Sequence, residues 1–171
     1  MKRTMKTWVC VIIAACFAFA GEADACTRAV YIGPHQTILT GRTMDFSIEI
    51  PANLWLFPRG MERSGQVGQN SFEWTSRYGS IIVSSWDIAT TDGMNERGLV
   101  ANLLWLVQSE YPTFDVQGKR EGMTIAAWAQ YALDSFATVA EAVDSLRKEE
   151  FVIVTDFIPG TDKFATVHLS L

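Results

Sequence analysis

Residues 124 to 136, Thr124-Ile125-Ala126-Ala127-Trp128-Ala129-Gln130-Tyr131-Ala132-Leu133-Asp134-Ser135-Phe136, decide the fold class. Ile125, Trp128, Ala129, Ala132, Leu133 and Phe136 recur at helical spacing, so one face of a helix is apolar. Val139, Ala142, Val143 and Leu146 repeat the pattern and predict a second amphipathic helix. Thr138 with Glu141 three residues on forms a capping box for it, each side chain able to satisfy a backbone N–H at the helix start. Before the first helix the period is different. Short β-rich runs at 26–32, 37–42, 54–57, 72–75, 78–84 and 99–106 read as strands, with Gly33-Pro34 and Asp92-Gly93 as turn signals. Asn95-Glu96-Arg97-Gly98 also reads as a turn, and the Gly-rich polar stretch 59–70 as an exposed loop. Strands return at 151–156 and 164–171 around Pro159-Gly160. Strands, then two helices, then strands predict a layered α+β domain. The last run reaches the final residue without a closing turn, with Val167, Leu169 and Leu171 alternating onto one face that is expected to lie uncovered.

The first 25 residues are of another kind. Lys2, Arg3 and Lys6 precede an apolar run at 8–20, and Ala23-Asp24-Ala25 follows it. This is the pattern of a secretory signal peptide, its core too short for a membrane-spanning helix of about 20 residues. Residues 26–171 then suit one domain. The whole chain carries a formal net charge of −5, and removing a leader with three basic and two acidic residues leaves it more negative. Nucleic acid and anionic membrane surfaces are therefore excluded as partners on charge. Localisation is expected to be periplasmic or secreted.

Two of the three cysteines, Cys10 and Cys16, leave with the leader, and Cys26 remains as a single thiol that cannot form an internal disulfide. Cleavage after Ala25 gives it a free α-amino group. With reference pKa values of about 7.7 to 8.0 for the amine and about 8.5 for the thiol, a proton passes between them readily at neutral pH. This activates a nucleophile without histidine. Two other readings stay open: lipidation of Cys26, although Ala23 stands where a larger apolar residue is usual, or an inert structural cysteine. Arg42 and Asp45 follow at the end of a strand expected to pair with the one Cys26 begins, where spacing alone fits equally a surface Arg and Asp at a hairpin end or two groups beside the cysteine. A guanidinium there favours thiolate, and a carboxylate holds the amine. His35 and His168 are too few and too isolated for a metal site or a histidine-based triad.

Cys26-Thr27-Arg28, Gly41-Arg42-Thr43-Met44-Asp45 and Asp92-Gly93-Met94-Asn95-Glu96-Arg97-Gly98-Leu99 together resemble the penicillin V acylase and choloylglycine (bile salt) hydrolase family. The resemblance runs from Cys26 to the end of the chain. It implies an N-terminal-nucleophile hydrolase with an αββα four-layer sandwich, without metal or organic cofactor, acting on a linear C–N amide of a small-molecule substrate and assembling as a homotetramer. It assigns Cys26 as nucleophile and base, Arg42 and Asp45 as its supports, and the backbone N–H of Trp105 as part of the oxyanion hole. Trp105 leans the substrate toward penicillin V or similar N-acyl amides, including acyl-homoserine lactones, over conjugated bile salts; Trp86, Trp105 and Phe46 are candidates to line an apolar acyl pocket. Family members carry a further Asn of the oxyanion hole and a further Arg near the site, both beyond the segment matching residues 151–171. The chain is therefore expected to be the N-terminal part of a longer protein, and an inactive fragment or a lipidated binding protein remain alternatives.

Overall fold

Strands β3 (Ala52–Phe57), β6 (Ser80–Ser85), β7 (Ala89–Asn95), β8 (Val100–Trp105) and β11 (Val167–Ser170) form a five-stranded antiparallel sheet in the order β11-β8-β7-β6-β3, with the consecutive hairpins of β6, β7 and β8 at its centre and β3 and β11 added from distant segments. The computed structural model describes residues 26–171, so the signal peptide expected over residues 1–25 lies outside the described residues. Helices α1 (Ile125–Ser135) and α2 (Val139–Leu146) follow β9 (Glu121–Thr124) and connect it to β10 (Phe151–Val154), which pairs with it in parallel. α1 packs across β7 and β8. No helix among the described residues is long and apolar enough to cross a membrane.

The core is the apolar stripe of α1 against the facing side of the sheet. Ala129, Ala132 and Leu133 are completely buried beside Ile82, Ala101 and Leu103. The helix comes so near β7 that a Cβ on Gly93 would lie 2.6 Å from Leu133 Cδ1 and 2.8 Å from Ile82 Cγ2. Asp92-Gly93 is therefore not a turn, contrary to its reading as one. It lies mid-strand, where glycine is required by the close approach of a helix. The Asn95-Glu96-Arg97-Gly98 turn is present, with Gly98 at φ +86°.

Strand alternation sends Asp92 to the face opposite Gly93. There it meets the hairpin of β1 (Arg28–Ile32) and β2 (Ile38–Arg42), whose Arg42 ion-pairs with it. Helix layer, sheet and hairpin thus stack in the sequence αββ, in an α+β sandwich. Val30, Tyr31, Ile32, Ile38 and Leu39 of the hairpin are exposed.

Two further expectations are corrected. The stretch 59–70 is not wholly an exposed loop: β4 (Glu62–Ser64) pairs with β5 (Glu73–Thr75), and Gly65 is buried against Gly122. Polar β4 carries no hydrophobic alternation because Arg63 is held by Phe57, 4.2 Å below its guanidinium, and by Asp134 at 3.5 Å. Val167, Leu169 and Leu171 are half-buried against the α1 core rather than uncovered, while β11, paired only with β8, is the unpaired sheet edge that the sequence predicts. The second helix is capped by Thr138 Oγ1, which accepts from Glu141 N, while the return bond from Glu141 is taken from Ala137 N rather than from Thr138.

Two buried polar residues lock α1. Asn95 donates through Nδ2 to Leu133 O (2.8 Å) and Phe136 O (2.7 Å) and accepts at Oδ1 from the N–H groups of Arg97 and Leu99, bolting the β7–β8 turn to the helix end. Asp134 is completely buried, accepting from Trp74 Nε1 (2.9 Å) and Gln130 Nε2 (2.8 Å), and burial pushes its carboxyl above the ordinary range. Asn95→Ala leaves several backbone groups unpaired and is expected to cost about 2 to 4 kcal/mol, read as a lower urea midpoint at unchanged slope. Because the carboxyl of Asp134 is raised on folding, the stability it contributes is full below its unfolded value of about 3.9 and is lost as pH rises through the folded one. The stability difference between wild type and Asp134→Asn should therefore move in the variant's favour from pH 4 to pH 7; a constant difference in parallel urea titrations would contradict this.

Candidate active site

The hairpin carries the site. Arg28 pairs with Arg42 in register, and Thr43 N donates to Thr27 O at 2.9 Å, so the ladder continues toward the start of β1. Two residues earlier than Arg28, Cys26 shares its face and lies diagonally across from Arg42. Thr27 N donates to Thr43 Oγ1 at 3.2 Å, and that hydroxyl donates to Asp45 Oδ2 at 2.7 Å. Asp45 is thereby tethered to the backbone next to Cys26.

Arg42 is fixed at several points. Its Nε lies 3.0 Å from Asp92 Oδ1 and its Nη2 donates to Leu103 O, while Nη1 is buried with no hydrogen-bond partner among the described residues. Asp92 Oδ1 also accepts from Asn102 Nδ2 at 2.7 Å, and Asn102 Oδ1 accepts from Arg28 Nε at 2.8 Å. Asp92, Asn102 and Arg28 were not among the candidates drawn from the sequence. The signal is present in the quoted Asp-Gly motif, but Asp92-Gly93 reads as a turn signal rather than as part of a strand serving two layers.

Cys26, Arg42, Asp45, Phe46, Trp86 and Trp105 all line one cavity of about 110 Å³, whose remaining walls are largely aliphatic, among them Leu103, Ile125, Ile158 and Val167. The structure brings together every candidate of the sequence reading. Phe46 and Trp105 meet edge to face, 5.4 Å between centroids. Trp86 comes from the β6–β7 turn, where it and Asp87 adopt left-handed backbone at φ +53° and +54°. Two bulky or branched-polar residues in that region cost on the order of 1 to 3 kcal/mol each. The turn is closed by Ile88 N to Ser85 O at 3.0 Å and anchored by Trp86 N to Pro51 O at 2.8 Å. Asp87 accepts from Asn53 Nδ2 (2.9 Å), Trp55 Nε1 (3.0 Å) and Ser84 Oγ (2.8 Å). These bonds, that from Asn53 foremost, hold its carboxyl below the usual range. His35 sits at the tip of the β1–β2 hairpin and His168 on β11, apart from this cavity.

Residues 26–171 match the model of the linear amide C-N hydrolases, choloylglycine hydrolase family. A penicillin V acylase from Pectobacterium atrosepticum is 47% identical over 177 residues, covering 99% of this chain and 47% of its own length. The solved penicillin V acylase from Agrobacterium tumefaciens is 48% identical with a TM-score of 0.72, over 84% of this chain and 48% of that one. A mutant conjugated bile acid hydrolase from Clostridium perfringens shares the fold at 23% identity and a TM-score of 0.64, over 85% of this chain and 44% of that one. The chain spans about half the length of these relatives.

The Asp87 acceptor set is what offsets the strain that aims Trp86 at the cavity. Asp87→Ala is expected to leave the sheet folded but to free the turn, so that Trp86 fluorescence, isolated by difference against a Trp86→Phe control, becomes more readily quenched by iodide. Quenching identical to wild type would show that the turn holds its shape without the carboxylate.

Proposed function

The chain belongs to the choloylglycine hydrolase family of linear amide C-N hydrolases, and on that basis we propose that it is the nucleophile-bearing part of an exported amidase acting through Cys26. The observation that carries the reading is that a thiol, a guanidinium, a carboxylate and three aromatic rings from separate chain segments line a single apolar cavity. Removal of a leader after Ala25 gives Cys26 its α-amine. The amine accepts the thiol proton, the thiolate attacks the amide carbonyl, and the C–N bond breaks as the resulting ammonium protonates the leaving amine. Water, deprotonated by the same amine, then hydrolyses the thioester and releases the acid. Arg42, with Nη1 uncommitted, supplies positive charge beside the sulfur. Asp45 holds the α-ammonium, and the N–H of Trp105 stabilises the oxyanion.

The substrate class we propose is penicillin V or a related N-acyl amide, including acyl-homoserine lactones, with the acyl group in the cavity. Its walls are largely aliphatic and aromatic, which supports an apolar acyl group. Phe46, Trp86 and Trp105 supply edges and faces for an aryl ring. That two relatives at 47% and 48% identity are named penicillin V acylase supports penicillin V over conjugated bile salts as the class for this chain. Periplasmic or secreted localisation and a homotetrameric assembly complete the proposal.

In the exported protein, mass spectrometry should find an unmodified N-terminal Cys26, and phenoxyacetyl amide hydrolysis should fall at least about 1,000-fold in Cys26→Ser. An uncleaved form with a residue fixed before Cys26 should be as inactive, because an amide nitrogen is not a base. A lipid-sized mass on Cys26, or turnover surviving in Cys26→Ser, would overturn the reading.

A further inference from the structure

A nucleophile at the first residue of a chain has no preceding segment to hold it. Whatever immobilises β1 immobilises Cys26, and β1 belongs to a two-stranded ribbon that beyond Arg28 and Arg42 is largely exposed on both sides. The hairpin also carries an electrostatic conflict: Arg28 and Arg42 are direct cross-strand neighbours, and like charges at such a pair repel.

Both problems meet the same two side chains. Asp92 takes Arg42 Nε at 3.0 Å; Asn102, 4% exposed, donates to Asp92 at 2.7 Å and accepts from Arg28 Nε at 2.8 Å. Asp92 and Asn102 are themselves register partners on β7 and β8. The result is a closed circuit in which each guanidinium of the hairpin is bonded to one of two neighbouring positions of the main sheet. The carboxylate stands on the Arg42 side and the amide on the Arg28 side. Arg42, diagonal to Cys26, is thus the one of the two that faces a full negative charge, and its Nη2 donates to Leu103 O.

We propose that Asp92 and Asn102 are positioning residues for the nucleophile: they touch no reacting atom, but fix Arg42 and the start of β1, and through them the reach and reactivity of the Cys26 thiol. The proposal rests on the amidase reading for its effect on turnover but not for its effect on the thiol.

The decisive variant exchanges the pair, Asp92→Asn with Asn102→Asp. It keeps an amide-to-carboxylate hydrogen bond between the two strands and an acceptor for Arg28, but moves the negative charge from Arg42 to Arg28. A purely structural circuit would tolerate this. In the exported protein beginning at Cys26, the exchanged variant should still unfold cooperatively in urea, yet alkylate at Cys26 with iodoacetamide at a rate changed at least fivefold from wild type at neutral pH, because both the orientation of Arg42 and the charge beside the thiol change. It should lose at least about thirtyfold in kcat for a phenoxyacetyl amide, with KM within threefold. Asn102→Ala, which frees Arg28 and removes a donor from Asp92, should also shift the alkylation rate. Alkylation decides the proposal, and wild-type turnover decides the reading beneath it: a wild-type thiol that alkylates normally while no amide is hydrolysed sinks only the latter. Alkylation of the exchanged variant within twofold of wild type, or losses that merely track the folded fraction, would overturn the positioning role.

Discussion

Strand β7 is asked to serve two layers at one dipeptide. Successive residues of a strand point to opposite faces, and at Asp92-Gly93 one face must admit a helix and the other an arginine. Gly93 has no side chain because Leu133 and Ile82 occupy the space where one would stand. Asp92 has a carboxylate because the hairpin brings Arg42 to it. A shift of register by a single residue would present the carboxylate to the helix and nothing to the guanidinium, so helix docking and site assembly stand or fall together.

The energetic character of the two sides differs. The α1 side is held by apolar burial, with Asn95 satisfying the carbonyls at the helix end and Asp134 accepting from Trp74 and Gln130 within the core. The hairpin side is held by a charged pair with 11% and 14% of its side-chain surface exposed. Pairs this buried add little net stability because of the desolvation they require, but breaking one leaves an isolated buried charge. Such a contact is well suited to enforcing one geometry and poorly suited to supplying the free energy of folding. The molecule uses the helix layer for stability and the hairpin layer for geometry.

The sequence made the fold class readable because α1 and α2 show strong helical periodicity and the hairpin runs show β-branched enrichment. It also made the family readable, through three motifs in order. What it concealed is governed by contacts between distant segments. β4 looked like loop because Arg63 is buried by Phe57 and Asp134 rather than by hydrophobic alternation. β7 was split into turn and turn because its inward residues are Thr90, Gly93 and Asn95, polar or small for reasons supplied by Gln130, Leu133 and the end of α1. The six cavity residues could be named as candidates one by one, but their convergence depends on where the β6–β7 turn and β8 end relative to the hairpin. Asp92, Asn102 and Arg28 escaped for the same reason: each is unremarkable until its partner, up to 74 positions away, is known.

The left-handed turn at Trp86-Asp87 has a consequence for anyone altering the protein. The β6–β7 connection is three residues, Trp86-Asp87-Ile88, and its first two positions, both left-handed, are best served by Asn-Gly, which occupies positive φ at little cost. A stability-guided or consensus redesign would therefore select that replacement, relieve the strain, and be rewarded with a higher melting temperature. It would at the same time delete an indole wall of the cavity and leave the donors Asn53, Trp55 and Ser84 without their shared acceptor. Robustness and recognition compete for the same two positions, so thermostabilisation here is safest when sought in the helix layer and the turn left alone.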